Sequence, residues 1–330
     1  MLSARRLSLL RDVARTGSIA GAAQRAGCTP SAASQQLAAL EQDLGVALLE
    51  RTPRSVRPTE AGRVLIEHAH RVLAALDAAE AAVHAVSGLR GGRLRVASFP
   101  SVAADLVLPA MTAFRRRYGD VRLTFTEAEP EDSLPAVASG DLDLAVTHRY
   151  GRLPRPDADA GLRQLLLHRD RMVLAVPPHL QRSGRTRARL RDFAGATWLG
   201  SLAETGFQAA TELLCRAEGF EPDIAYRSDR YELVLRMVAA DLGVALVPGL
   251  AAVPHPGVAF VEVSEPGGLT HDIHLTTRAA DTSPAVEAMA ALLVERSVTL
   301  PAGAGAGAGA GGGGGGVRAG DPAQGRPLGP

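Results

Sequence analysis

Two consecutive stretches, Ser18-Ile-Ala-Gly-Ala-Ala-Gln-Arg-Ala-Gly27 and, after Cys28, Thr29-Pro30-Ser31-Ala-Ala-Ser34-Gln35-Gln-Leu37-Ala-Ala-Leu40-Glu-Gln-Asp-Leu44-Gly45, decide how this chain opens. Ser18 is a good N-cap and Gly27 a good stop, so the first stretch reads as a short helix. Ala22 and Ala23 leave room for a second helix to cross closely, and Gly27 supplies the sharp turn between them. Thr29 followed by Pro30 is a strong helix start, with Pro at N1, where its missing N–H costs nothing. The second helix has an apolar stripe of Ala33, Leu37, Leu40 and Leu44. Its opposite face carries Ser31, Ser34, Gln35 and Ala38, at i, i+3, i+4 and i+7. A solvated helix normally shows charge there. This face is short and uncharged, which suits a major groove, where Gln bonds adenine bidentately and Ser reaches bases or phosphates.

Arg51-Thr-Pro-Arg54-Ser-Val-Arg57-Pro58 follows directly and sets three Arg on a Pro-punctuated turn, a basic wing suited to phosphates or a minor groove. Residues 1–58 hold eight Arg against four acids, a net of +4, so the remaining 272 residues sum to −3. A small basic head on a weakly acidic body is the charge pattern of a DNA-binding module joined to something else.

Between Thr59 and Ser87 there is no Pro and one Gly, Gly62. Leu65, Ala69, Val72, Leu76, Ala79, Val83 and Val86 are spaced by four and three in alternation, an a/d seam over three heptads that predicts a dimerisation helix. At ~1.5 Å per residue its thirty or so residues form a rod of roughly 45 Å. Gly88-Leu-Arg-Gly-Gly92 ends it.

Beyond that, strand-like runs at Leu94–Phe99, Val121–Thr126, Leu142–Thr147, Met172–Val176, Gly243–Val247, Val258–Val263 and Ile273–Thr277 alternate with helical stretches at Leu106–Tyr118, Ser133–Ser139, Gly206–Glu218 and Tyr231–Ala240. The alternation predicts an α/β body with largely parallel sheets. Gly151–Asp159, rich in Arg and Pro, is a candidate crossover, and Ser283-Pro opens a last helix. From Pro301 the Gly/Ala repeat cannot bury apolar surface and is expected to be disordered.

Composition removes several chemistries. The 330 residues are 46% hydrophobic and 22% charged, as in ordinary globular proteins, and allow two or three domains. There is no Lys and no Asn, so all 36 basic residues are Arg. A Walker-A loop, a Schiff-base or pyridoxal-phosphate enzyme and N-glycosylation are excluded on that ground. Cys28 and Cys215 cannot build a disulfide framework or a cysteine metal site and read as reduced cytosolic thiols. The N-terminus has too short an apolar run for a signal peptide, and Leu233–Val253 carries Arg236 and Asp241, so no membrane partner is expected. Ala97-Ser-Phe-Pro-Ser101 lacks the flanking glycines of a nucleophile elbow. His68 and His70 fall on different faces of a helix, and His271 and His274 on opposite faces of a strand, so neither pair shares a metal. No catalytic residue, metal ligand or cofactor is expected.

Leu7-x-x-Leu10-x-x-Val13-x-x-x-Gly17-Ser18-x-x-x-Ala22-Ala23, Ser31-Ala-x-Ser34-x-Gln36-Leu37-x-x-Leu40-Glu41-x-x-Leu44-Gly45, Leu48-Leu49-x-Arg51 and Thr59-x-Ala61-Gly62 together resemble the LysR-type transcriptional regulators. The resemblance is nearly continuous over residues 7–62. Leu142-Asp143-Leu-Ala-Val146 and Val238-Ala-Ala-Asp-Leu-Gly-Val-Ala-Leu-Val-Pro248 extend it to about residue 298. It implies a winged helix-turn-helix over 1–58, a linker and dimerisation helix over 59–89, and an effector-binding domain over 90–300. It further implies that this domain is a two-lobed α/β fold like periplasmic binding proteins, with lobe I near 90–160 and 269–300 and lobe II near 161–268. The tail is 301–330. The chain departs from the family at Pro30 and Gln35, where Gln and Arg are common, and at Asp241 and Pro130.

The function implied is sequence-specific binding of double-stranded promoter DNA by a homodimer or homotetramer, modulated by a small-molecule effector between the lobes, with RNA polymerase a partner of an activator. Thr29, Pro30, Ser31, Ser34, Gln35, Arg51, Arg54 and Arg57 are the expected DNA contacts. Ser101, Thr147, Arg149, Ser201, Arg227 and Ser228 are the expected effector contacts, with Arg149 or Arg227 the partner of an anionic one. The open alternative is an enzyme or transport-type binding protein on the same scaffold, its head a mere interaction module.

Overall fold

The computed structural model describes residues 2–52, 55–86, 91–151, 161–181, 186–202, 205–264 and 270–300. Most of the candidate crossover, the wing residue Arg54 and the Gly/Ala tail lie outside these residues.

The head is built from caps. Helix α1, Ala4–Thr16, begins at Ser3 and ends on left-handed Gly17. Helix α2, Ile19–Arg25, is capped by the Ser18 hydroxyl, which accepts the Gly21 N–H at 3.1 Å. Helix α3, Pro30–Leu44, starts at Thr29, whose hydroxyl accepts the Ala32 N–H at 3.2 Å, and closes on left-handed Gly45. Leu9, Leu10, Val13, Ala22, Ala23, Ala33, Leu37 and Leu40 form one buried core. Leu44, expected in that stripe, is instead 41% exposed, because the stripe outruns the shorter helices it packs against. Strands β1, Leu49–Arg51, and β2, Val56–Pro58, pair antiparallel as the wing.

Helix α4, Glu60–Val86, is the expected rod. Thr59 caps it, accepting the Gly62 N–H at 3.0 Å and donating to the Ala47 carbonyl at 2.8 Å. Gly62 is required there: a Cβ would stand 2.1 Å from the Leu48 carbonyl oxygen. The heptad seam divides along its length. Leu65 packs on the head core and Ala69 is buried, whereas Val72 and Leu76 are each 46% exposed and Val83 68%.

The body opens with β3, Arg93–Ser98, which leads into the short helix α5, Pro100–Val102, a π-helical turn at Ala103–Val107 and then α6, Leu108–Arg117. Next come β4, Arg122–Glu127; α7, Pro130–Ala138; β5, Leu144–Tyr150; and β6, Leu162–Val176. The second lobe holds β7, Arg187–Ala188; β8, Thr197–Gly200; α8, Gly206–Ala217; β9, Asp223–Arg227; α9, Tyr231–Ala239; β10, Ala245–Pro248; and β11, Ala259–Val263. The chain returns through β12, Thr270–Arg278, to the closing helix α10, Pro284–Ser297.

The sheets are mixed rather than largely parallel. β4, β3 and β5 are mutually parallel, but β12 runs antiparallel to β5 and β6 antiparallel to β12. β10 and β11 then add antiparallel to the last third of β6, Met172–Val176. Two long strands therefore join the lobes. The predicted strand Met172–Val176 is only the last third of β6, whose first ten residues are too rich in Arg, Gln and His to read as a strand. Likewise β5 runs three residues past Thr147, and that extension changes which side chains meet the cleft. Lobe I closes around Leu94, Val96, Phe114, Leu144, Val146, Met289 and Leu293. Trp198, Leu214 and Leu246 anchor one face of lobe II and Leu235, Val238 and Val247 the other.

The head rests against lobe I of its own chain. Arg15 Nη1 lies 3.0 Å from Asp141 Oδ2 and Arg11 Nη2 3.7 Å from Asp141 Oδ1. His70 Nδ1 sits 3.0 Å from the Ser139 carbonyl oxygen, and Asp77 of α4 receives Arg93 at 2.8 Å and Arg95 at 3.4 Å.

Candidate DNA interface and effector cleft

The outward face of α3 has the shape and chemistry expected of it. Thr29, Pro30, Ser31, Gln35 and Ala38 are exposed and Ser34 is half-buried. Arg51 reaches from the wing to α3, with Nη1 donating to Ser34 Oγ at 3.4 Å and Nη2 3.6 Å from Glu41. Glu41 in turn accepts the backbone N–H groups of Leu48 and Leu49 at 2.9 and 3.1 Å. One carboxylate thus fixes the angle between α3 and the wing. Arg57 is exposed on β2. Sequence reasoning passed over Asp12, which is 4% exposed and ties Arg25 of α2 to α1 at 3.4 Å. An acid among apolar residues on an amphipathic helix is the signal that marks it.

The cleft lies where β3, β5 and β12 of lobe I face α8 and the β9–α9 turn of lobe II. Phe99, Ser101, Glu129, Glu131, His148, Tyr150 and His271 line it from one side. Ser201, Thr205, Phe207, Ser228, Asp229 and Tyr231 line it from the other. Its rings form a connected wall. Tyr150 stacks on His271 at 5.2 Å, His148 lies 4.6 Å from Phe99, and Phe207 bridges Tyr150 and Tyr231 at 5.8 and 6.0 Å. The cavity left between them is about 60 Å³, against roughly 300–1,000 Å³ for a typical ligand pocket. The lobes are nearly shut.

Three of the six expected effector residues, Ser101, Ser201 and Ser228, come together in this lining. Ser201 donates its hydroxyl to Asp229 Oδ1, which also accepts the Leu202 N–H at 3.0 Å. Ser228 accepts the Arg230 N–H at 3.2 Å. The other three stand outside it. Thr147 is buried against β12, its hydroxyl 2.9 Å from that of Thr276. Arg149 donates to Gln164 at 2.8 Å and Arg227 to the Ser201 carbonyl at 3.0 Å. The physical reason for the first two is strand period. With β5 running to Tyr150, His148 and Tyr150 share the cleft face and Thr147 and Arg149 the other.

Burial sets the chemistry of the wall. His271, 1% exposed, has its pKa lowered to about 4, chiefly by desolvation. The Tyr150 and Tyr231 hydroxyls are pushed well above the usual tyrosine range, again mainly by burial. Beside His271, His148 donates from Nε2 to Glu129 at 3.1 Å. Among the described residues no group of three or more His, Cys, Asp or Glu could hold a metal ion. Cys28, half-buried, and Cys215, buried, are not disulfide-bonded.

A helix pair with an exposed uncharged second helix and a wing, and the two-lobed body beyond the long helix, each match a family profile. Residues 4–63 match the bacterial regulatory helix-turn-helix protein, lysR family, and residues 87–297 the LysR substrate binding domain. The chain belongs to the LysR family. Among its relatives, the "Probable HTH-type transcriptional regulator LrrA" of Synechococcus elongatus is 32% identical over 252 residues, spanning 76% of this chain and 82% of that one. The regulator CbbR of Xanthobacter flavus is 32% identical over 244 residues, 74% of this chain and 72% of its own. Among solved structures, a full-length OxyR variant from Pseudomonas aeruginosa superposes with a TM-score of 0.67 over 89% of this chain and 95% of that chain, at 19% identity, a likeness of fold. As a LysR-family member the chain is a DNA-binding transcriptional regulator with an effector-binding domain, and its partners are DNA and a small molecule. Among the described residues no helix is long and apolar enough to cross a membrane.

Proposed function

We propose that this LysR-family regulator reads its operator with the exposed face of α3, Ser31, Ser34 and Gln35, entered from the Thr29-Pro30 end. Arg51, Arg54 and Arg57 of the wing meet the sugar–phosphate backbone beside it. The observation that carries the reading is the uncharged, solvent-exposed α3 face held at a fixed angle to an Arg-bearing wing by Glu41. An exposed helix that evolved only for solubility would carry charge; one that lies on base edges does not need it.

The domains of this reading are the winged head over 1–58, the linker helix over 59–89, the effector domain over 90–300 and the tail beyond. Two chains pair through the exposed part of the α4 seam, Val72, Leu76 and Val83, since an apolar stripe of that spacing is stabilised by a second copy of itself. The pair presents two recognition helices to half-sites about 34 Å apart, one turn of DNA. The effector enters when the lobes part around Ser101, Ser201 and Ser228, and closure on it shifts the arrangement of the heads. The protein works in the cytoplasm, without catalysing a reaction, and engages RNA polymerase where it activates.

The test is a mobility shift with the full-length protein and the intergenic duplex upstream of its coding sequence, at several salt concentrations. Nanomolar, salt-sensitive binding that exceeds binding to random duplex supports the reading. Equal affinity for both duplexes at physiological ionic strength overturns it.

A further inference from the structure

We propose that the cleft selects an ammonium-bearing small molecule, a primary amine or an amine-containing metabolite, rather than the anion that an arginine in the lining would hold. This rests on the reading of the cleft as the effector site and names the chemistry of what fills it.

The charge of the lining is the first observation. Glu129 and Glu131 from lobe I and Asp229 from lobe II all border the cavity, and among the described residues no Arg does. Arg227, at the end of β9, is committed to the Ser201 carbonyl. Among the described residues the wall therefore carries three carboxylates and no Arg. Carboxylates on both lobes repel one another across a closing gap, and a cation between them removes that repulsion.

The second observation is aromatic. Phe99, Tyr150, Phe207 and Tyr231 present ring faces or edges to the same small volume, together with His148 and His271. Aromatic faces attract a desolvated cation and do nothing comparable for an anion. The third is an unmet hydrogen bond. His271 is 1% exposed and lines the cavity, yet its Nδ1 has no hydrogen-bond partner and stands 3.8 Å from Asp170 Oδ2, beyond bonding distance. His148 Nδ1 is likewise buried without a partner, while Nε2 of the same ring lies 3.1 Å from Glu129. When Nε2 carries the proton, Nδ1 is left as an acceptor, which an N–H of the ligand satisfies.

Helix N-termini at the cleft point the other way, toward an anion, and must be weighed. α7 and α9 begin at its edge, but each carries acids in its first turn, Glu131 and Asp132 on α7 and Glu232 on α9. The start of α8 is capped by the Thr205 hydroxyl, which accepts the Gln208 N–H. A helix end contributes only about half a positive charge, less than one carboxylate. The balance stays acidic.

The experiment uses the full-length protein and three probes of one size: butylammonium, butan-1-ol and butyrate, each titrated in thermal-shift and calorimetric assays. Butylammonium is expected to raise the melting temperature and to bind measurably, with the alcohol and the carboxylate inert. Glu131→Gln, an exposed position whose change keeps the side-chain shape, is expected to weaken butylammonium about tenfold. Its melting temperature without probe shows that it folds. Butyrate or butanol binding as well as or better than butylammonium overturns the proposal, as does a Glu131→Gln protein with unchanged butylammonium affinity, or no response to any probe. Operator binding in the absence of probe is read separately, so loss of the ammonium chemistry and loss of the regulator reading give different results.

Discussion

Arg15 and Asp141 form an ion pair, Nη1 to Oδ2 at 3.0 Å, that joins the first helix of the DNA-binding head to the turn after α7 in lobe I of the same chain. Arg11, from the same helix, lies 3.7 Å from the other carboxylate oxygen. The head is thus tethered to lobe I of the same chain. Because the Arg15 side chain is 48% exposed, solvent screens the pair, and its contribution to global stability is below about 1 kcal/mol. Asp141→Asn should leave the melting temperature nearly unchanged yet raise amide hydrogen exchange in α1 and the α7 turn. Identical exchange in both proteins would show that the contact holds nothing in place.

Gln35→Ala and Arg57→Ala separate reading from gripping. Loss of the Gln35 side chain should cost about 1–3 kcal/mol at one base position, narrowing the ratio of specific to non-specific binding. Loss of Arg57 should weaken all duplexes alike and lower the slope of log affinity against log salt by about one. Quantitative mobility shifts over a salt series check both, and a Gln35→Ala protein with unaltered base preference counts against α3 as the reader.

Leu76→Glu places a charge in the exposed seam of α4, where two copies would bring it face to face. Sedimentation velocity should show the dimer dissociating at concentrations at which the parent stays paired. Cooperative operator binding should fall with it. A variant that sediments like the parent would mean that the chains pair elsewhere.

Asp170 is fully buried where β6 passes between lobes, accepting the Arg171 N–H at 2.8 Å and the Leu250 N–H at 2.9 Å. Asp170→Ala orphans both donors, and the expected loss is about 3 kcal/mol, since hydrogen bonds to a charged acceptor are the strong ones. Chemical denaturation gives the figure directly. Little or no loss would mean that water replaces the carboxylate.

His271 makes stability depend on acidity in a defined window. Its folded pKa is lowered from 6.5 to about 4, so above pH 6.5 both folded and unfolded forms hold it neutral and it imposes no penalty. As pH falls from 6.5 toward 4 the unfolded chain takes the proton first, and stability declines by up to about 3 kcal/mol. His271→Phe keeps a ring against Tyr150 and should flatten this part of the pH profile. An unchanged slope would assign the acid sensitivity to other groups.

Short-range physics explains what could be read in advance. Caps, prolines at N1, terminating glycines and heptad spacing act within a few residues, so Ser18, Thr29-Pro30, Gly45 and the seam beginning at Leu65 announce the head and rod without reference to anything distant. The lobe cores could be anticipated as strands and helices for the same reason. Which residues share the cleft was a different matter. Its wall comes from stretches near residues 100, 130, 149, 203, 229 and 271, brought together by β6 and β12 crossing between lobes and by a sheet that is antiparallel at its centre. Three extra residues of β5 were enough to exchange Thr147 and Arg149 for His148 and Tyr150. Local pattern therefore carried the DNA-binding half of the molecule, whose proposed contacts lie on one helix and its neighbour. The charge and aromatic character of the effector cleft emerged only from long-range pairing, because a side chain's neighbours across a sheet depend on register and strand order that no single segment encodes.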